Sequence, residues 1–394
     1  MPTPFTYTRS DLPTTTPQSV AETASVIREA ATAGRAVLIR GGGTKWSLGH
    51  QPKQEAVVLC TGSLTGIIEY EPGELTFTAR AGTPLVEVES ALAANGQYLP
   101  FDPPFASAGA TLGGTIAAGL SGPRRMRYGG LRDFVIGVEF VSADGLTVHG
   151  GGKVVKNAAG YDLPKLFCGS LGTLGVLTQV SFKVFPMPQA HRTLLAGLDS
   201  APAVQSALLA IQRSPLEVSA ADAWPAGVIA DIPDLGKGYV LAVQMDGVEP
   251  SLSPRLDRLR GLLPSGTPTA LLEGDPESAL WSALRDVAWL GESGAVLRLY
   301  LPPNRLADLD ARLQEFAARR VYSIAGNAGW AVLSGDPARL APALEKLGVR
   351  ASVWRGGGDG AEILPALPGS ALVKRIKRAF DPREVFYPGR FAAG

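Results

Sequence analysis

The segment Ala36-Val37-Leu38-Ile39-Arg40-Gly41-Gly42-Gly43-Thr44 contains the pattern from which the fold of this chain can be inferred. Its four apolar residues predict a buried β-strand, and three consecutive glycines after Arg40 end that strand in a loop. Such glycines let successive backbone N–H groups converge on one point and form an anion-binding nest. Thr44 and Ser47 add hydroxyl donors, and Lys45 adds a positive charge. Because the motif alone is only moderately specific, a flexible turn is the alternative interpretation.

Two segments further along the chain share the small-residue character of this loop. Residues 110–123 read ATLGGTIAAGLSGP, and their small side chains let the backbone approach a flat or bulky ligand. Close helix packing in a core explains this segment equally well. Residues 169–175 read GSLGTLG, where a simple helix-to-strand turn would need one glycine rather than three. Of the 47 glycines, 26 lie between Gly34 and Gly175, so the excess belongs to one part of the chain.

Together, the three segments resemble the FAD-contacting stretches of the vanillyl-alcohol-oxidase type, also called the p-cresol-methylhydroxylase (PCMH) type, of FAD-binding domain. In that family a strand ends in R-G-G-G-T, a T-I-G-G-x-x-A segment follows, and G-S-E-G-T-L-G closes the domain. The matching stretches here are Arg40–Thr44, Thr111–Ala117 and Gly169–Thr178. Residues 127–133, 156–163 and 380–391 are similar to further family motifs, in the right order. The resemblance is therefore specific for the fold.

The resemblance implies a set of residues that would hold FAD. They are Arg40, Gly41, Gly42, Gly43, Thr44, Lys45, Ser47, Pro104, Ala110, Thr111, Gly113, Gly114, Thr115, Ala117, Gly122, Gly169, Gly172, Thr173, Gly175, Val176 and Tyr387. Backbone N–H groups of the first loop would bind the pyrophosphate, and the small-residue segment would lie against the flavin ring. Members with covalent FAD often carry His where Gly43 or Thr44 stands here, so the resemblance implies a non-covalent cofactor.

The resemblance and the order of the strand and helix patterns predict an α+β fold in three parts. A two-part PCMH-type FAD-binding domain would span residues 1–188, with subdomains of about 1–62 and 63–188. Over residues 189–368, alternating strand and helix patterns favour a smaller ferredoxin-like α+β cap domain. Residues 369–394, which include a basic helix over 371–380, would pack back on the FAD domain.

Two side chains of the predicted cap domain are candidates for catalysis. Arg298 and Tyr300 alternate on a predicted strand, so both would project from one face, as an anion clamp and a proton partner. Surface-facing strand residues are the alternative, and the pattern favours it. The D-2-hydroxyacid dehydrogenases of the family carry an H-x-H motif in their second domain, whereas this chain has no His after His191. The resemblance therefore implies that their machinery for 2-hydroxy acids is missing.

The short cap domain and the run KVVKNAAGYDLPKLFC at residues 153–168 are similar to those of FAD-binding subunits of bacterial glycolate oxidase complexes. That similarity implies an FAD-dependent oxidoreductase acting on CH–OH donors, in a complex that oxidises glycolate to glyoxylate. The implied partners are a catalytic flavoprotein subunit and an iron–sulfur subunit that passes electrons on. The implied ligand is a small 2-hydroxy acid. This chain would relay electrons or serve structurally rather than carry the main catalytic step.

Two other functions stay open at this point. One is a self-sufficient FAD-dependent oxidase or dehydrogenase of another small alcohol or 2-hydroxy acid. The other is a non-enzymatic scaffold subunit with little or no FAD. Bound flavin that glycolate reduces in the isolated chain would favour the first, and a colourless protein that cannot be reconstituted would favour the second.

Composition argues against several other classes of protein. The chain has 37 basic and 36 acidic side chains and a net charge of +1, which argues against nucleic acid as its main partner. Two cysteines cannot hold an iron–sulfur cluster, and with three histidines we expect no metal site. There is neither an apolar run of membrane-spanning length nor a signal-peptide pattern, so we expect a cytoplasmic protein. Peripheral attachment to the inner membrane would come only through its partners.

Three further features have less specific interpretations. Cys168 is expected to be a small buried filler rather than a redox thiol. The basic cluster Arg124–Arg127 would attract a carboxylate or an acidic partner, or else form an ordinary solvated loop. The helix that carries Lys374–Arg378 is expected to present a solvated face, with docking of a partner subunit as the alternative.

Overall fold

A computed structural model describes residues 12–46, 48, 54–152, 161–316, 318–356, 363–365 and 370–390. Within them, the chain divides into two compact units. The first is drawn from Met1–Ser121, Gly130–Met187 and Leu367–Gly394, and the second from Gly122–Gly129 and Pro188–Ala366. Three predicted features lie outside the described residues: Ser47, residues 156–160 of one family-like stretch, and Phe391.

Helices and strands alternate along both units, as the predicted α+β class requires. The strands are β1 (Thr14–Thr15), β2 (Ala36–Arg40), β3 (Ala56–Cys60), β4 (Ile67–Glu71), β5 (Thr76–Arg80), β6 (Gln97–Tyr98), β7 (Val135–Val141), β8 (Thr147–Gly151), β9 (Val176–Lys183), β10 (Phe185–Pro186), β11 (Ala190–Leu198), β12 (Ala220–Pro225), β13 (Tyr239–Gly247), β14 (Thr269–Leu272), β15 (Ala295–Tyr300), β16 (Arg319–Ser323), β17 (Ala328–Leu333), β18 (Arg350–Arg355) and β19 (Ile363–Leu364). The α-helices are α1 (Val20–Thr32), α2 (Leu85–Ala93), α3 (Leu112–Ala118), α4 (Arg125–Tyr128), α5 (Leu163–Phe167), α6 (Ala201–Arg213), α7 (Glu249–Arg260), α8 (Asp275–Arg285), α9 (Leu306–Glu315), α10 (Ala341–Leu347) and α11 (Ser370–Phe380).

The glycine-rich loop of the first unit follows an edge strand of a small parallel sheet, in which β3 lies between β1 and β2. Helix α1 covers this sheet, and its Ile27 packs with Val37 and Leu59 in one buried cluster. The free edge of β2 is taken by the C-terminal segment, because the Val37 N–H donates to the Val385 carbonyl at 2.7 Å. The predicted return of the C-terminal tail to the FAD-binding part is therefore confirmed.

The second sheet of the first unit is antiparallel, in the order β4-β5-β9-β7-β8. Strand β9 is its centre and is buried along almost its whole length, as its alternating and apolar pattern predicts. Phe77 of β5 stacks on Phe182 of β9 with ring centroids 5.5 Å apart. Strand β9 starts directly after the third glycine-rich segment, so the rigid sheet fixes that segment in place.

The second unit repeats one topology twice. The elements β11-α6-β12-β13-α7-β14 form a β-α-β-β-α-β unit with the strand order β14-β11-β13-β12. The elements β15-α9-β16-β17-α10-β18 form another, with the order β16-β17-β15-β18. Both are ferredoxin-like arrangements, and they join edge to edge through the Ala223–Tyr322 pair into one nine-stranded sheet. The predicted ferredoxin-like cap is therefore confirmed, and the structure contains two copies of that topology.

The two faces of this nine-stranded sheet differ in chemistry. Helices α6, α7, α9 and α10 supply Leu208, Leu256, Leu309 and Leu344 to an apolar core over one face. Strand residues that alternate with the core residues project from the opposite face. They include the buried polar or charged residues Thr193, Asp222, Gln244 and Arg298. This opposite face also buries apolar residues such as Leu195, Trp224 and Val296, and it is called the polar face below because of its buried polar groups.

Candidate functional site

The first unit contains a cavity where the three small-residue segments meet. It is an open-mouthed cleft, and the space within it amounts to about 740 Å³ when the open solvent at its mouth is included. The predicted cofactor residues that line it are Arg40, Gly41, Gly42, Gly43, Thr44, Lys45, Thr111, Gly113, Gly114, Ala117, Gly172 and Gly175. Arg40 and Gly175, which are 175 − 40 = 135 positions apart in the sequence, thus line the same space.

Other residues from the predicted set lie elsewhere. Pro104, Ala110, Thr115, Gly169, Thr173, Val176 and Tyr387 do not line this cavity. Gly122 belongs to the second unit. Thr115 is buried, and its Oγ1 has no hydrogen-bond partner among the described residues. The lining residues that sequence reasoning missed are Ile39, Trp46, Thr61, Ala118, Ser170, Leu171, Leu177 and Arg390.

Close backbone packing explains why the first loop is made of glycine. A Cβ on Gly42 would lie 1.7 Å from the carbonyl oxygen of Gly109, and one on Gly41 would lie 2.3 Å from Thr111 Oγ1. Gly43 adopts a φ of +70°, which lies in the left-handed region that disfavours larger residues. The first two glycines therefore bring the loop against residues 109–111, and the third lets it turn.

Helix α3 starts at the same point and is capped at both ends. The Thr111 side chain accepts a hydrogen bond from the Gly114 N–H at 3.3 Å, so Thr111 is the N-cap. Gly119, with a φ of 66°, ends the helix as its C-cap. Gly113 lies so close to Ala81 that an added Cβ would be 3.0 Å from it. The small residues of α3 thus serve close packing on one side and the cavity on the other.

Arg40 is held in a fixed position at the cavity. Its Nε and Nη2 atoms donate to Cys60 Sγ at 3.1 and 2.8 Å, across the parallel pair β2 and β3. Its guanidinium also lies over the Trp46 ring, 5.7 Å from the ring centroid. The Thr61 N–H donates to the Arg40 carbonyl at 2.9 Å, which brings Thr61 to the same edge of the sheet. The charge of Arg40 is therefore oriented before any ligand is bound.

A second arginine reaches the cavity from the C-terminal segment. Arg390 donates from Nη1 to the Leu171 carbonyl at 2.8 Å, and its guanidinium lies 3.9 Å from the centroid of the Tyr387 ring. Tyr387 itself is 1% exposed and is part of the core around β2. Tyr387 thus supports Arg390 and does not line the cavity itself.

The charges around the cavity all have one sign. Arg40, Lys45 and Arg390 are cationic, and no Asp or Glu is among the described residues that line the space. Lys45 Nζ donates to Thr44 Oγ1 at 2.8 Å and lies 5.0 Å from the Phe105 ring centroid. Three oriented cations beside glycine backbone create a site for an anionic ligand.

The catalytic candidates Arg298 and Tyr300 lie on the polar face of the second unit. Arg298 is 5% exposed, and no hydrogen bond or ion pair reaches its guanidinium from the described residues. Among the described residues, the guanidinium forms a cation–π contact with the Trp330 ring, whose centroid lies 4.8 Å away. Burial lowers the pKa of Arg298 to about 10, and the nearest charges include Asp222 and Arg125. Tyr300 is 46% exposed, and its hydroxyl lies 3.4 Å from Ser352 Oγ.

A buried carboxylate organises another part of the same face. Glu277 of α8 is fully buried, with Oε2 2.8 Å from His191 Nδ1 and Oε1 accepting from Thr193 and Gln244. Burial opposes ionisation of Glu277, but these hydrogen bonds outweigh it and lower the pKa. The bond to Glu277 raises the pKa of His191. The Trp281 indole N–H also donates to Thr193 Oγ1, so the network attaches α8 to the sheet.

The remaining predicted groups have structural partners. Arg124 donates to Gln244 Oε1 at 3.2 Å and Arg127 pairs with Glu217 at 2.9 Å, all within the second unit. The cluster Arg124–Arg127 therefore lies partly on helix α4 rather than in a loop, and its Arg125 and Arg127 side chains are exposed. Burial raises the pKa of Cys168 to about 11, so its thiol is protonated at neutral pH. A protonated thiol agrees with the prediction that Cys168 is not a redox thiol, but Cys168 is half-buried rather than buried as predicted.

Comparisons with known proteins agree on the fold and on the kind of cofactor. A family model described as "FAD binding domain" matches residues 14–151. The chain is 32% identical to glycolate oxidase subunit GlcE of Escherichia coli, over 91% of this chain and 93% of that protein. It is 28% identical to glycolate oxidase subunit GlcD of Bacillus subtilis, over 91% of this chain and 84% of that protein. A solved structure of alkyldihydroxyacetonephosphate synthase matches with a TM-score of 0.71 at 16% identity, over 95% of this chain and 75% of that one.

Proposed function

The chain belongs to the FAD-dependent oxidoreductase family of glycolate oxidase subunits that includes GlcE, and we propose that it is the FAD-binding subunit of a glycolate oxidase complex. The complex would oxidise glycolate, a small 2-hydroxy acid, to glyoxylate. An iron–sulfur partner subunit would pass the electrons on, and a second flavoprotein of the GlcD type would carry the main catalytic step. This chain would relay electrons or serve structurally.

The observation that carries the proposal is the cavity between the three glycine-rich segments. Its residues fit FAD, because the cationic set Arg40, Lys45 and Arg390 suits a doubly charged pyrophosphate and the cavity has no described acidic lining residue. Gly113, Gly114 and Ala117 present almost no side chain, so they suit the close approach of a flat ring. No described lining residue is His or Cys, which supports a non-covalent cofactor.

Each of these side chains has a separate role in the proposal. Arg40, oriented by Cys60 and Trp46, would bind a phosphate oxygen without losing further side-chain freedom. Lys45 would add a second charge at the same loop. Arg390, held by Leu171 and Tyr387, would close the cavity from the C-terminal side. When bound, FAD supplies a two-electron acceptor, a function that protein side chains of this kind do not provide.

The division of work between subunits rests on the histidine content of the second unit. This unit has one histidine in the sequence, His191. It therefore cannot form the H-x-H motif that the D-2-hydroxyacid dehydrogenases of the family carry in their second domain. We therefore assign proton removal from the substrate to the GlcD-type flavoprotein.

Anaerobic reduction of the bound flavin tests this proposal. The purified chain, reconstituted with FAD, is mixed with glycolate alone and then with glycolate plus the GlcD-type flavoprotein and the iron–sulfur subunit from the same organism. We expect the flavin absorbance of this chain to bleach only in the second mixture. Rapid bleaching by glycolate alone would contradict the relay role. A chain that cannot be reconstituted with FAD would be a scaffold subunit.

A second candidate function, a self-sufficient FAD-dependent dehydrogenase, has one observation in its favour. Arg298 is a buried charge on the polar face that forms no ion pair with a described residue, and Tyr300 lies two residues along the same strand. A carboxylate ligand would supply the partner that Arg298 lacks, since unpaired buried charges are costly. If glycolate raises the thermal unfolding temperature of the chain and fails to do so for Arg298→Met, this chain binds substrate itself. An equal effect on both proteins would remove that candidate.

A further inference from the structure

The basic helix α11 does not present all of its charges to solvent as the sequence predicts. Lys377 has a side chain that is only 20% exposed. Its Nζ donates to the carbonyl oxygens of Thr173 and Phe386, at 2.8 and 2.7 Å, and also to Asp381. Thr173 belongs to the glycine-rich segment 169–175, so this ammonium group links the C-terminal segment to a loop 204 positions earlier in the sequence.

A buried carboxylate fixes the position of this ammonium group. Asp381 is fully buried, and its two oxygens also accept the backbone N–H groups of Val385 and Phe386, at 2.8 and 2.7 Å. Replacing a buried ion pair by apolar residues often leaves the stability of a protein unchanged or raises it, so stability alone does not explain such a pair. The Lys377–Asp381 pair does fix the positions of two backbone groups, the carbonyls of Thr173 and Phe386.

The third glycine-rich segment requires contacts of this kind, because its backbone is strained where it lines the cavity. Leu171 lines the cavity with a φ of +49°, in the left-handed region that disfavours residues other than glycine. Such a conformation persists only where the surrounding contacts impose it. The Leu171 N–H donates to the Ala117 carbonyl at 2.8 Å, and the Leu171 carbonyl accepts from Arg390 at 2.8 Å. Lys377 binds the carbonyl two residues later, so two cations of the C-terminal segment hold this loop.

The same ion pair fixes the stretch of chain that leads to Arg390. Phe386 forms a parallel bridge with Val37 of β2. Its N–H donates to the Asp381 carboxylate, and its carbonyl accepts from the Lys377 ammonium group. Arg390 follows four residues later and lines the cavity. Because the bridge sets the register of this stretch on β2, the pair also determines where Arg390 reaches the cavity.

We propose that Lys377 and Asp381 are positioning residues of the cofactor cavity. Neither side chain lines the cavity, so both act through Leu171 and Arg390, which do. The pair holds the third glycine-rich segment and the stretch before Arg390 in the arrangement that binds the cofactor. The proposal rests on the proposed function, because the ligand whose affinity the pair controls is FAD.

Thermodynamic linkage makes this role reciprocal and gives a test on the wild-type chain. If the hydrogen bonds of Lys377 strengthen FAD binding, bound FAD stabilises those bonds by the same factor. Acetic anhydride acetylates the Lys377 amine only while its hydrogen bonds are open, and mass spectrometry measures the rate with and without saturating FAD. We expect FAD to slow acetylation of Lys377 about fivefold or more and to leave Lys346, exposed on α10, unchanged. Equal rates at Lys377 with and without FAD would overturn the proposal.

Substitution of Lys377 measures the effect on affinity directly. Dissociation constants for FAD are measured on the folded full-length chain for wild type, Lys377→Met and Lys377→Arg. Arg378→Met is the matched control, since Arg378 is exposed on the same helix and its substitution removes the same charge. We expect at least about a tenfold loss for Lys377→Met, because it removes charge-assisted hydrogen bonds. Lys377→Arg keeps a cationic donor and should lose less, and the control should not change.

The outcomes separate the role of Lys377 from the proposed function. Wild-type affinity for FAD in folded Lys377→Met, even with a lower free energy of unfolding, would make Lys377 purely structural and overturn the proposal. An equal loss of affinity in Lys377→Arg and Lys377→Met would also overturn it, because the cationic donor would then not matter. Failure of wild type to bind FAD would overturn the proposed function and the positioning role with it. If Lys377→Met does not fold, the acetylation rates of wild type decide.

Discussion

The two faces of the sheet in the second unit each bury an arginine, and these two arginines differ in their partners. On the helix-covered face, Arg320 is 6% exposed and bonds both oxygens of Asp310, at 2.5 and 2.8 Å. It also donates to the Tyr239 hydroxyl at 2.9 Å. On the polar face, Arg298 is equally buried. Its guanidinium forms a cation–π contact with Trp330 and no hydrogen bond or ion pair with a described residue.

The pKa values follow the same division. Burial alone would lower the pKa of both arginines, and for Arg298 it outweighs the opposing effects of Tyr300 and Asp222, so the value falls to about 10. For Arg320 the hydrogen bonds and charge of Asp310 outweigh burial and raise the pKa. Where a buried arginine has a structural role, this fold therefore supplies its guanidinium with a carboxylate and further hydrogen-bond acceptors. A buried arginine left without a carboxylate is therefore available for a ligand.

The largest effect is expected from breaking the structural pair. Asp310→Leu leaves Arg320 as a buried charge without its carboxylate partner, and removing one partner of a buried ion pair destabilises proteins by about 3–5 kcal/mol. Chemical denaturation monitored by circular dichroism measures the free energy of unfolding. Asp310→Asn, which can still accept hydrogen bonds, should lose less. Wild-type stability in Asp310→Leu would contradict a structural role for this pair.

A much smaller effect on stability is expected at the other arginine. Arg298→Met removes a buried charge that is not paired with a carboxylate of the described residues, and it keeps most of the apolar volume over Trp330. The lost cation–π contact and the removed desolvation cost oppose each other, so the free energy of unfolding should change by less than about 1 kcal/mol. The same denaturation experiment measures it. A loss of unfolding free energy as large as that of Asp310→Leu would show that Arg298 has a structural role, as Arg320 does.

The smallest effect is expected at His191, and it depends on pH. Because Glu277 raises the pKa of His191, this pair contributes stability that is fully present below the ordinary histidine value of 6.5 and is lost as pH rises through the folded-state pKa. The lowered pKa of Glu277 makes its own contribution present above its ordinary value of 4.5 and lost as pH falls below it. Arg124 opposes and Asp246 favours the charged histidine.

Stability profiles of wild type and His191→Gln between these two pH limits measure the contribution. Wild type should gain most relative to the variant between pH 4.5 and 6.5, by less than about 1 kcal/mol, since the His191 side chain is 36% exposed. The two profiles should converge at higher pH. Profiles that stay parallel across the whole range would show that the His191–Glu277 pair does not titrate as described.

Much of the site was predictable because glycine has few other reasons to cluster. Consecutive glycines at 41–43 and the pair at 113 and 114 signal close backbone approach, and both segments line the cavity. Thr61 carries no such signal. It reaches the cavity only because β2 and β3 run parallel in register, with Arg40 opposite Cys60. Knowledge of that pairing would have identified Thr61, since neighbouring parallel strands end at one edge.

Two other features escaped prediction for different physical reasons. In the C-terminal motif, sequence reasoning selected Tyr387, whereas the structure buries that ring and brings Arg390 to the cavity. Only packing decides which of two neighbouring residues faces inward. The doubled ferredoxin-like topology was missed because β12 is short and alanine-rich, and alanine is a weak strand former. Without β12, the edge pairing that joins the two halves has no sequence signal.

The central claim is that the three glycine-rich segments hold FAD, and flavin content tests it most directly. Wild type, Gly42→Ala and the neighbouring control Gly62→Ala are loaded with FAD, and the flavin released by acid is quantified against folded protein. A Cβ at Gly42 meets the Gly109 carbonyl, whereas one at Gly62 meets no atom within 4 Å. The account predicts equimolar, acid-released FAD in wild type and Gly62→Ala, and at least about tenfold less in folded Gly42→Ala, since the clash costs more than about 1.4 kcal/mol. Equimolar FAD in folded Gly42→Ala would contradict it.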